Sequence, residues 1–248
     1  MARKRKEKME FRYYKMPMGS AFLALLGKKW IQEYGNDNDC LHFHNYLEIG
    51  YCHAGRGNLI LGEEEHPFES GKFTVIPANF PHVTNSVPGT LGYWEYLFVD
   101  VEQVAKKIYA NNPKRAERII HRVNFGAFMS SEQENPKIAS KIKEILEIMR
   151  SEDEFYLEEA QGILEALILS IARMSQANTE TLVAEEEKTV RVIAQVVDYI
   201  SANYMEQIRM EELAEQCHFS ETHFRRVFSS QMNMTPLEYL NMVRVQAA

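Results

Sequence analysis

The sequence predicts an α+β protein, with a β-rich first half and helices after it. Residues 40–100 contain short runs rich in aromatic and β-branched residues, which glycine and proline separate at close intervals. Such short, regularly spaced strands are typical of an antiparallel sandwich or barrel. After Asp100 the apolar residues recur at helical spacing, and this pattern continues to the C-terminus.

The composition argues against a membrane protein and against a generally basic nucleic-acid binder. The 248 residues are 45% hydrophobic and 25% charged, with a net charge of −7, so any binding of nucleic acid has to come from a local patch. No run of about 18 apolar residues occurs, so no membrane span is expected. The basic start "MARKRKEKMEFRYYK" lacks a following apolar segment, so we expect an unstructured tail and not a signal peptide. Three scattered cysteines predict reduced thiols and a cytoplasmic location.

Changes in pattern along the chain predict five regions. We expect a tail and lead-in over 1–39, a β-barrel core over 40–104, and a helical segment over 105–176. The polar, acidic stretch "QANTETLVAEEEK" predicts a linker over 177–188. Residues 189–248 read as helices only.

The helical segment contains an apolar stripe with heptad-like steps of three and four, in "FYLEEAQGILEALILSIARMS". Its members are Leu157, Ala160, Leu164, Leu167, Ile171 and Met174. Two interpretations remain open at this point. Either this helix lies on the barrel of its own chain, or it pairs with its copy to form the seam of a homodimer.

The C-terminal region contains a pattern typical of a helix-turn-helix. "MEELAEQC" predicts a short helix, "HFS" a tight turn, and "ETHFRRVFSSQM" a second helix that begins after the N-cap residue Ser220. We expect Phe224, Val227 and Phe228 to be buried. The outer face is left with the candidate DNA-binding residues Glu221, Thr222, Arg225, Arg226 and Ser229. Arginine can donate two hydrogen bonds to guanine, which suits a helix in the major groove of double-stranded DNA.

The same region resembles the signature of AraC-type transcription regulators over about sixty residues. The matching residues are Leu213, Ala214, Ser220, Phe224, Arg226, Phe228, Thr235, Pro236, Tyr239 and Arg244. Asn233 stands where the family usually has glycine, and the chain ends inside the linker helix that precedes the family's second helix-turn-helix. The resemblance implies a ligand-responsive regulator of transcription that is not an enzyme and acts as a homodimer on DNA.

The stretch "HFHNYLE" places His42, His44 and Glu48 where a strand can point all three side chains the same way. Neutral imidazoles and a carboxylate are common ligands of metal ions. The spacing alone does not separate the metal site of an enzyme, a sensor pocket and an ordinary polar strand.

This stretch and a second motif resemble those of cupin barrels, over roughly residues 40–100. The first motif is formed by His42, His44, Glu48 and Gly55, and the second by Gly71, Pro77 and His82, with Asn79 in place of a glycine and Asn85 one place early. The resemblance implies that His42, His44, Glu48 and His82 converge inside the barrel. Three uses of that site stay open. It binds a divalent transition metal (Zn, Ni, Mn or Fe), it is a metal-free effector pocket to which Tyr46 and Trp94 contribute, with a sugar as one candidate effector, or it belongs to a metal-dependent cupin dioxygenase or isomerase.

Overall fold

The structure is a computed structural model that describes residues 10–35, 40–62, 64–179, 184–232 and 234–247. The chain divides into two units, residues 1–180 and residues 181–248. Within the described residues, no helix is both long enough and apolar enough to cross a membrane.

The first unit contains the strands. They are β1 (Glu10–Arg12), β2 (Phe22–Leu25), β3 (Ile31–Gln32), β4 (His42–His44), β5 (Leu47–Ala54), β6 (Arg56–Leu61), β7 (Glu64–Glu69), β8 (Lys72–Ile76), β9 (His82–Ser86), β10 (Gly92–Val99) and β11 (Phe128–Ser131). One sheet has the order β1-β4-β9-β6-β7, and the other has the order β11-β8-β5-β10-β2 with β3 paired to β10. The pairs are antiparallel except β1 with β4, which are parallel.

An apolar cluster joins the two sheets and forms the interior of the barrel. It takes Leu59 and Phe68 from one sheet, and Cys52, Trp94 and Phe98 from the other, all of them buried. Successive side chains of a strand point to opposite faces, so each sheet keeps a second face for other contacts. The predicted α+β class with an antiparallel barrel is confirmed, with one parallel pair added.

Four strands lie outside the region to which the sequence analysis assigned the barrel. β1, β2 and β3 come from the predicted tail and lead-in, and β11 comes from the predicted helical segment 105–176. These strands have two to four residues, which is too short for an alternating pattern to stand out. Phe11 and Phe22 are nonetheless buried, because each strand pairs with the edge of a sheet.

The helices of the first unit are α1 (Val101–Ile108), α2 (Pro113–Val123), α3 (Pro136–Ser151) and α4 (Tyr156–Thr179). Asp100 and Asn112 act as N-caps of α1 and α2, where each side chain accepts a hydrogen bond from the backbone N–H three residues on. The four helices cover the outer face of the second sheet. Buried sheet residues such as Phe73 and Leu97 share one apolar cluster with buried helix residues such as Ile142.

The apolar stripe of α4 belongs to this cluster. Ala160, Leu164, Leu167 and Ile171 have no exposed surface within their own chain, whereas Leu157 is 45% exposed. The interpretation in which α4 lies on its own chain is therefore the one that the structure shows. Side chains that are buried in one chain are not free to form a seam with a copy, so the alternative is wrong for these four residues.

The second unit is helical. Its helices are α5 (Ala184–Asn203), α6 (Met210–Gln216), α7 (Glu221–Met232) and α8 (Pro236–Ala247). The stretch 177–188, which the sequence predicts as a linker, overlaps the end of α4 and the start of α5.

Candidate effector site and DNA-reading helix

Three polar side chains meet inside the barrel. His44 lies on β4, Glu48 on β5 and His82 on β9, and the register that pairs His42 with His82 joins β4 to β9. One ligand atom from each of His44, Glu48 and His82 lies within 4.8 Å of the other two, and all three residues are buried. We call this set the three-residue centre.

Backbone carbonyls fix how the two histidines present their rings. Nδ1 of His44 lies 2.7 Å from the carbonyl oxygen of Tyr46, and Nδ1 of His82 lies 2.9 Å from that of Phe80. A carbonyl only accepts, so Nδ1 carries the hydrogen and Nε2 of the neutral ring has a lone pair. Histidines that bind metals are held in the same way.

The two Nε2 atoms face one carboxylate oxygen. Oε2 of Glu48 lies 3.2 Å from Nε2 of His44 and 3.7 Å from Nε2 of His82. The geometry is not that of a hydrogen bond, and neither Nε2 has a hydrogen-bond partner within the described part of the chain. Lone pairs that face a carboxylate oxygen repel it, so a positive charge between them would stabilise the arrangement.

Burial sets the charge state of these groups. It lowers the pKa of His44, and the adjacent Glu48 only partly opposes that shift. Burial alone would raise the pKa of Glu48, and this pKa falls below its usual range only with positive charge at His82 and His44. A metal ion held between the three residues would supply the same positive charge. The centre is thus a buried carboxylate between two imidazoles, and two nitrogens with one oxygen form a ligand set that suits Zn, Ni, Mn or Fe.

His42 does not join this centre, although its spacing predicted a fourth ligand. Its Nε2 accepts a hydrogen bond from Nη1 of Arg12 at 3.2 Å, and its Nδ1 lies 3.2 Å from the carbonyl oxygen of Cys40. Burial, followed by the charges of His82 and Arg12, lowers the pKa of His42 to about 2. The guanidinium uses the lone pair that a metal would need, and its charge opposes a second cation.

The turn before β9 brings His82 to the centre. Asn79 has a φ of 63°, in the left-handed region, and its N–H donates to the carbonyl oxygen of His44 at 2.7 Å. The usual cupin glycine adopts that conformation at little cost, and asparagine is among the few other residues that tolerate it. The departure from the motif therefore leaves the turn intact.

The other predicted pocket residues are mainly parts of the wall. Trp94 is buried, with Phe68 edge-on and Tyr96 stacked against it. Tyr46 supplies the carbonyl that orients His44, and its side chain is half-buried against the barrel cluster.

Sequence reasoning missed Arg12 and Tyr14, because both lie in the predicted tail. The ring of Tyr14 stacks on Phe98 at 3.8 Å and meets His44 edge-on at 6.2 Å. Its backbone N–H and carbonyl both bind the side chain of Asn45, and burial raises the pKa of Tyr14 to about 12. The aromatic run "FRYY" was the one available signal.

The second unit contains the predicted helix-turn-helix. Leu213 and Ala214 of α6 and Phe224 and Phe228 of α7 are buried, so the two helices pack through the residues that the sequence singled out. Ser220 is the N-cap of α7, and its Oγ accepts from the N–H of His223 at 3.3 Å. Val227 is half-buried, and Asn233 lies outside the described residues.

The outer face of α7 carries a polar stripe. Thr222, Arg225 and Arg226 are exposed, while Glu221 and Ser229 are partly exposed. The structure therefore places all five predicted DNA-binding residues away from the buried face.

Arg244 of α8 is instead a structural residue. Its Nε donates to the carbonyl oxygen of Tyr204 at 2.7 Å, and its Nη2 donates to that of Glu206 at 2.8 Å. These bonds tie α8 to the segment after α5.

Comparison with known families agrees with both units. Residues 33–168 match the family described as "AraC-like ligand binding domain", and residues 200–241 match "Bacterial regulatory helix-turn-helix proteins, AraC family". The first match spans more than half of the chain, so this chain belongs to the AraC family of transcription regulators. It combines a ligand-binding domain with a helix-turn-helix DNA-binding domain and is a transcription regulator, not a metal-dependent cupin enzyme.

Individual relatives are more distant. Over 212 residues the chain is 23% identical to the uncharacterized HTH-type transcriptional regulator YbfI of Bacillus subtilis. This match covers 84% of this chain and 71% of YbfI. Over 53 residues it is 40% identical to the bifunctional transcriptional activator/DNA repair enzyme AdaA of Bacillus subtilis, a match of 21% of this chain and 25% of AdaA.

Two solved structures also resemble this chain. The apo form of a lysine-to-alanine variant of ToxT from Vibrio cholerae has a TM-score of 0.44 at 12% identity, over 91% of this chain and 98% of that chain. The AraC-like transcriptional activator CuxR has a TM-score of 0.40 at 15% identity, over 82% of this chain and 67% of CuxR.

Proposed function

We propose that α7 is the helix that reads DNA in this regulator, with Thr222, Arg225 and Arg226 toward the major groove and Glu221 and Ser229 beside them. The observation that carries this proposal is the polar stripe of α7, opposite a face buried through Phe224 and Phe228. A helix with exposed arginines can read guanine and hold phosphates at once.

The charge of the second unit favours a dimer. Residues 189–248 carry five basic and seven acidic residues, a net charge of −2. Because neutralised phosphates supply much of the affinity for DNA, one copy of this unit binds weakly. A cytoplasmic homodimer doubles the number of contacts across two half-sites.

The three-residue centre is the proposed effector site, and it holds a divalent transition metal. Support comes from the buried Nε2 atoms of His44 and His82, which lack hydrogen-bond partners in the described part of the chain and lie near the buried carboxylate of Glu48. A metal bound there through His44, Glu48 and His82 would act as a Lewis acid toward an oxygen-bearing effector such as a sugar.

The DNA-reading role is tested by selection from a random-sequence duplex pool with the full chain as bait. The wild-type chain should enrich a defined sequence, and the double variant Arg225→Ala/Arg226→Ala should enrich none. Lys114→Ala removes one exposed positive charge from the first unit and should leave the enriched sequence unchanged. Enrichment of the same sequence by the double variant would show that α7 is not the reading helix.

The effector site is tested separately by thermal shift against a panel of sugars and divalent metals. A compound that stabilises the wild-type chain should lose its effect in His44→Ala and His82→Ala. If a sugar stabilises both variants as well as the wild type, the effector binds elsewhere. If a sugar acts without any metal in a sample treated with a chelator, the pocket is metal-free.

A further inference from the structure

Glu221 and Arg225 form a close pair on the outer face of α7. Oε1 of Glu221 accepts from Nε of Arg225 at 2.7 Å and from Nη2 of Arg225 at 2.6 Å. The residues are four apart, so their side chains lie one above the other on the helix. Both side chains remain partly exposed, at 37% for Glu221 and 44% for Arg225.

This contact occupies the Nε and Nη2 edge of the Arg225 guanidinium and leaves the Nη1 and Nη2 edge available to donate hydrogen bonds to another group. A guanidinium has five N–H donors in one plane. The carboxylate takes the Nε hydrogen and one Nη2 hydrogen, so the second Nη2 hydrogen and both Nη1 hydrogens remain. Guanine presents the two acceptors O6 and N7 side by side in the major groove, and a pair of donors from Nη1 and Nη2 matches them.

We infer that Glu221 is a positioning residue that makes Arg225 a reader of guanine. The inference rests on the proposed role of α7. The carboxylate neutralises the charge of Arg225 and repels phosphates, so the pair is poorly suited to hold the DNA backbone. It is well suited to a base edge, because the remaining donor pair is held in a fixed plane.

The neighbouring arginine provides an internal comparison. Nη2 of Arg226 lies 3.1 Å from Nδ1 of His223, and no carboxylate is paired with it within the described residues. Arg226 therefore keeps its positive charge and suits a phosphate. One helix face thus presents one arginine for a base and one for the backbone.

The experiment compares base preference and general affinity in the full chain. The wild type, Glu221→Gln, Arg225→Ala and the double variant are each used to select from a random-sequence duplex pool, and each is then titrated on scrambled DNA at several salt concentrations. Glu215→Gln is the control, because the side chain of Glu215 on α6 is exposed, carries the same charge and has no ion-pair partner among the described residues. Circular dichroism verifies that each variant is folded.

We expect the wild type to prefer guanine at one position by about 10- to 100-fold. Glu221→Gln and Arg225→Ala should each relax that same position, and the double variant should resemble Arg225→Ala. On scrambled DNA, Glu221→Gln should bind more tightly than the wild type, with a salt slope steeper by about one unit, because the freed arginine can take a phosphate. A merely helix-stabilising ion pair would change neither base preference nor salt slope.

Three results would overturn the inference, and they differ from one another. If Glu221→Gln keeps the wild-type guanine preference while Arg225→Ala loses it, Glu221 does not position the arginine. If Glu221→Gln instead loses a preference for cytosine at another position, the carboxylate reads a base itself. If the wild type prefers no base anywhere, the proposed role of α7 fails together with this inference.

Discussion

The guanidinium of Arg150, at the end of α3, donates to the buried carboxylate of Glu95 on β10 at 2.6 Å. Glu95 has no exposed side-chain surface, and it also accepts from His53, from Tyr93 and from the N–H of Gly27, each at 2.8 Å. The contact joins the helical layer to the outer face of the second sheet. Because the carboxylate of Glu95 accepts from all four of these donors, the loss of its charge weakens hydrogen bonds to α3, to strands of the second sheet and to Gly27 at once.

The first prediction concerns this carboxylate and pH. Burial raises the pKa of Glu95, but hydrogen bonds from His53, Gly27 and Tyr93 and the charge of Arg150 outweigh it and lower the pKa to about 2. The unfolded chain takes up this proton near the ordinary pKa of about 4.3, so the stabilisation is present above that pH and is lost as the pH falls toward 2. Between about pH 4.3 and pH 2, the free energy of unfolding of the wild type should fall by roughly 2–3 kcal/mol more than that of Glu95→Gln.

Urea denaturation at pH 5, 4, 3 and 2 measures this effect. Glu147→Gln is the matched control, because Glu147 pairs with the same Arg150 but its side chain is 75% exposed. The control should keep the acid dependence of the wild type. If the free energy of unfolding of Glu95→Gln depends on pH as strongly as that of the wild type, Glu95 is not the ionised group that stabilises the fold.

The second prediction concerns metal. The purified full chain should contain about one transition-metal ion per molecule by elemental analysis, and His44→Ala and His82→Ala should each lose it. His66→Ala, a partly exposed histidine on β7, serves as the control and should keep the metal. A wild-type chain without metal, or metal retained in both variants, would contradict the proposal that the three-residue centre binds a metal.

The third prediction separates His42 from that centre. His42→Ala should keep the metal, because Nε2 of His42 accepts from Arg12 and is not directed at Glu48. The same elemental analysis decides it. Loss of metal comparable to that in His44→Ala would restore His42 as a ligand, as its spacing in the sequence predicted.

These two predictions show where sequence reasoning succeeds and where it stops. The spacing of His44 and Glu48 suggested that one strand would point both side chains the same way. The structure instead places His44 on β4 and Glu48 on β5, in different sheets, and the two side chains meet inside the barrel. The same spacing predicted His42 as a further ligand, but in the structure its Nε2 accepts a hydrogen bond from Arg12. That residue lies on a strand of three residues, too short to show a period. The local pattern predicts the direction in which a side chain points. It does not predict which residue from a distant part of the chain packs beside that side chain.

The apolar stripe of α4 shows the same limit on a helix. Periodicity identified the face that must be covered, because apolar residues at steps of three and four lie on one side. Periodicity did not identify what covers that face, because α4 of a second copy could pack against it as well as the helices of the same chain. The choice follows from the buried faces of α1, α2 and α3, which share one apolar cluster with α4.

The fourth prediction follows from that burial. Leu164→Ala should lower the free energy of unfolding of the first unit by roughly 2–5 kcal/mol, because it leaves a cavity in the core. Leu157→Ala, on the same helix but 45% exposed, should change it by less than about 0.5 kcal/mol. Urea denaturation measures both variants. A stable Leu164→Ala variant that loses only its dimeric state in sedimentation would instead support the seam between copies.

The fifth prediction concerns Arg226 as a phosphate contact of the full chain. Its exposed guanidinium has His223, and no carboxylate among the described residues, as its neighbour, so its charge is available to the DNA backbone. Arg226→Ala should weaken binding to the selected sequence and to scrambled DNA by similar factors. It should also flatten the dependence of log K on log salt by about 0.9, as for the loss of one phosphate contact on duplex DNA. Fluorescence-anisotropy titrations from low to moderate salt measure both quantities, with Lys114→Ala as the control for a lost charge in the first unit. If Arg226→Ala relaxes one base position and leaves the salt slope unchanged, Arg226 reads a base.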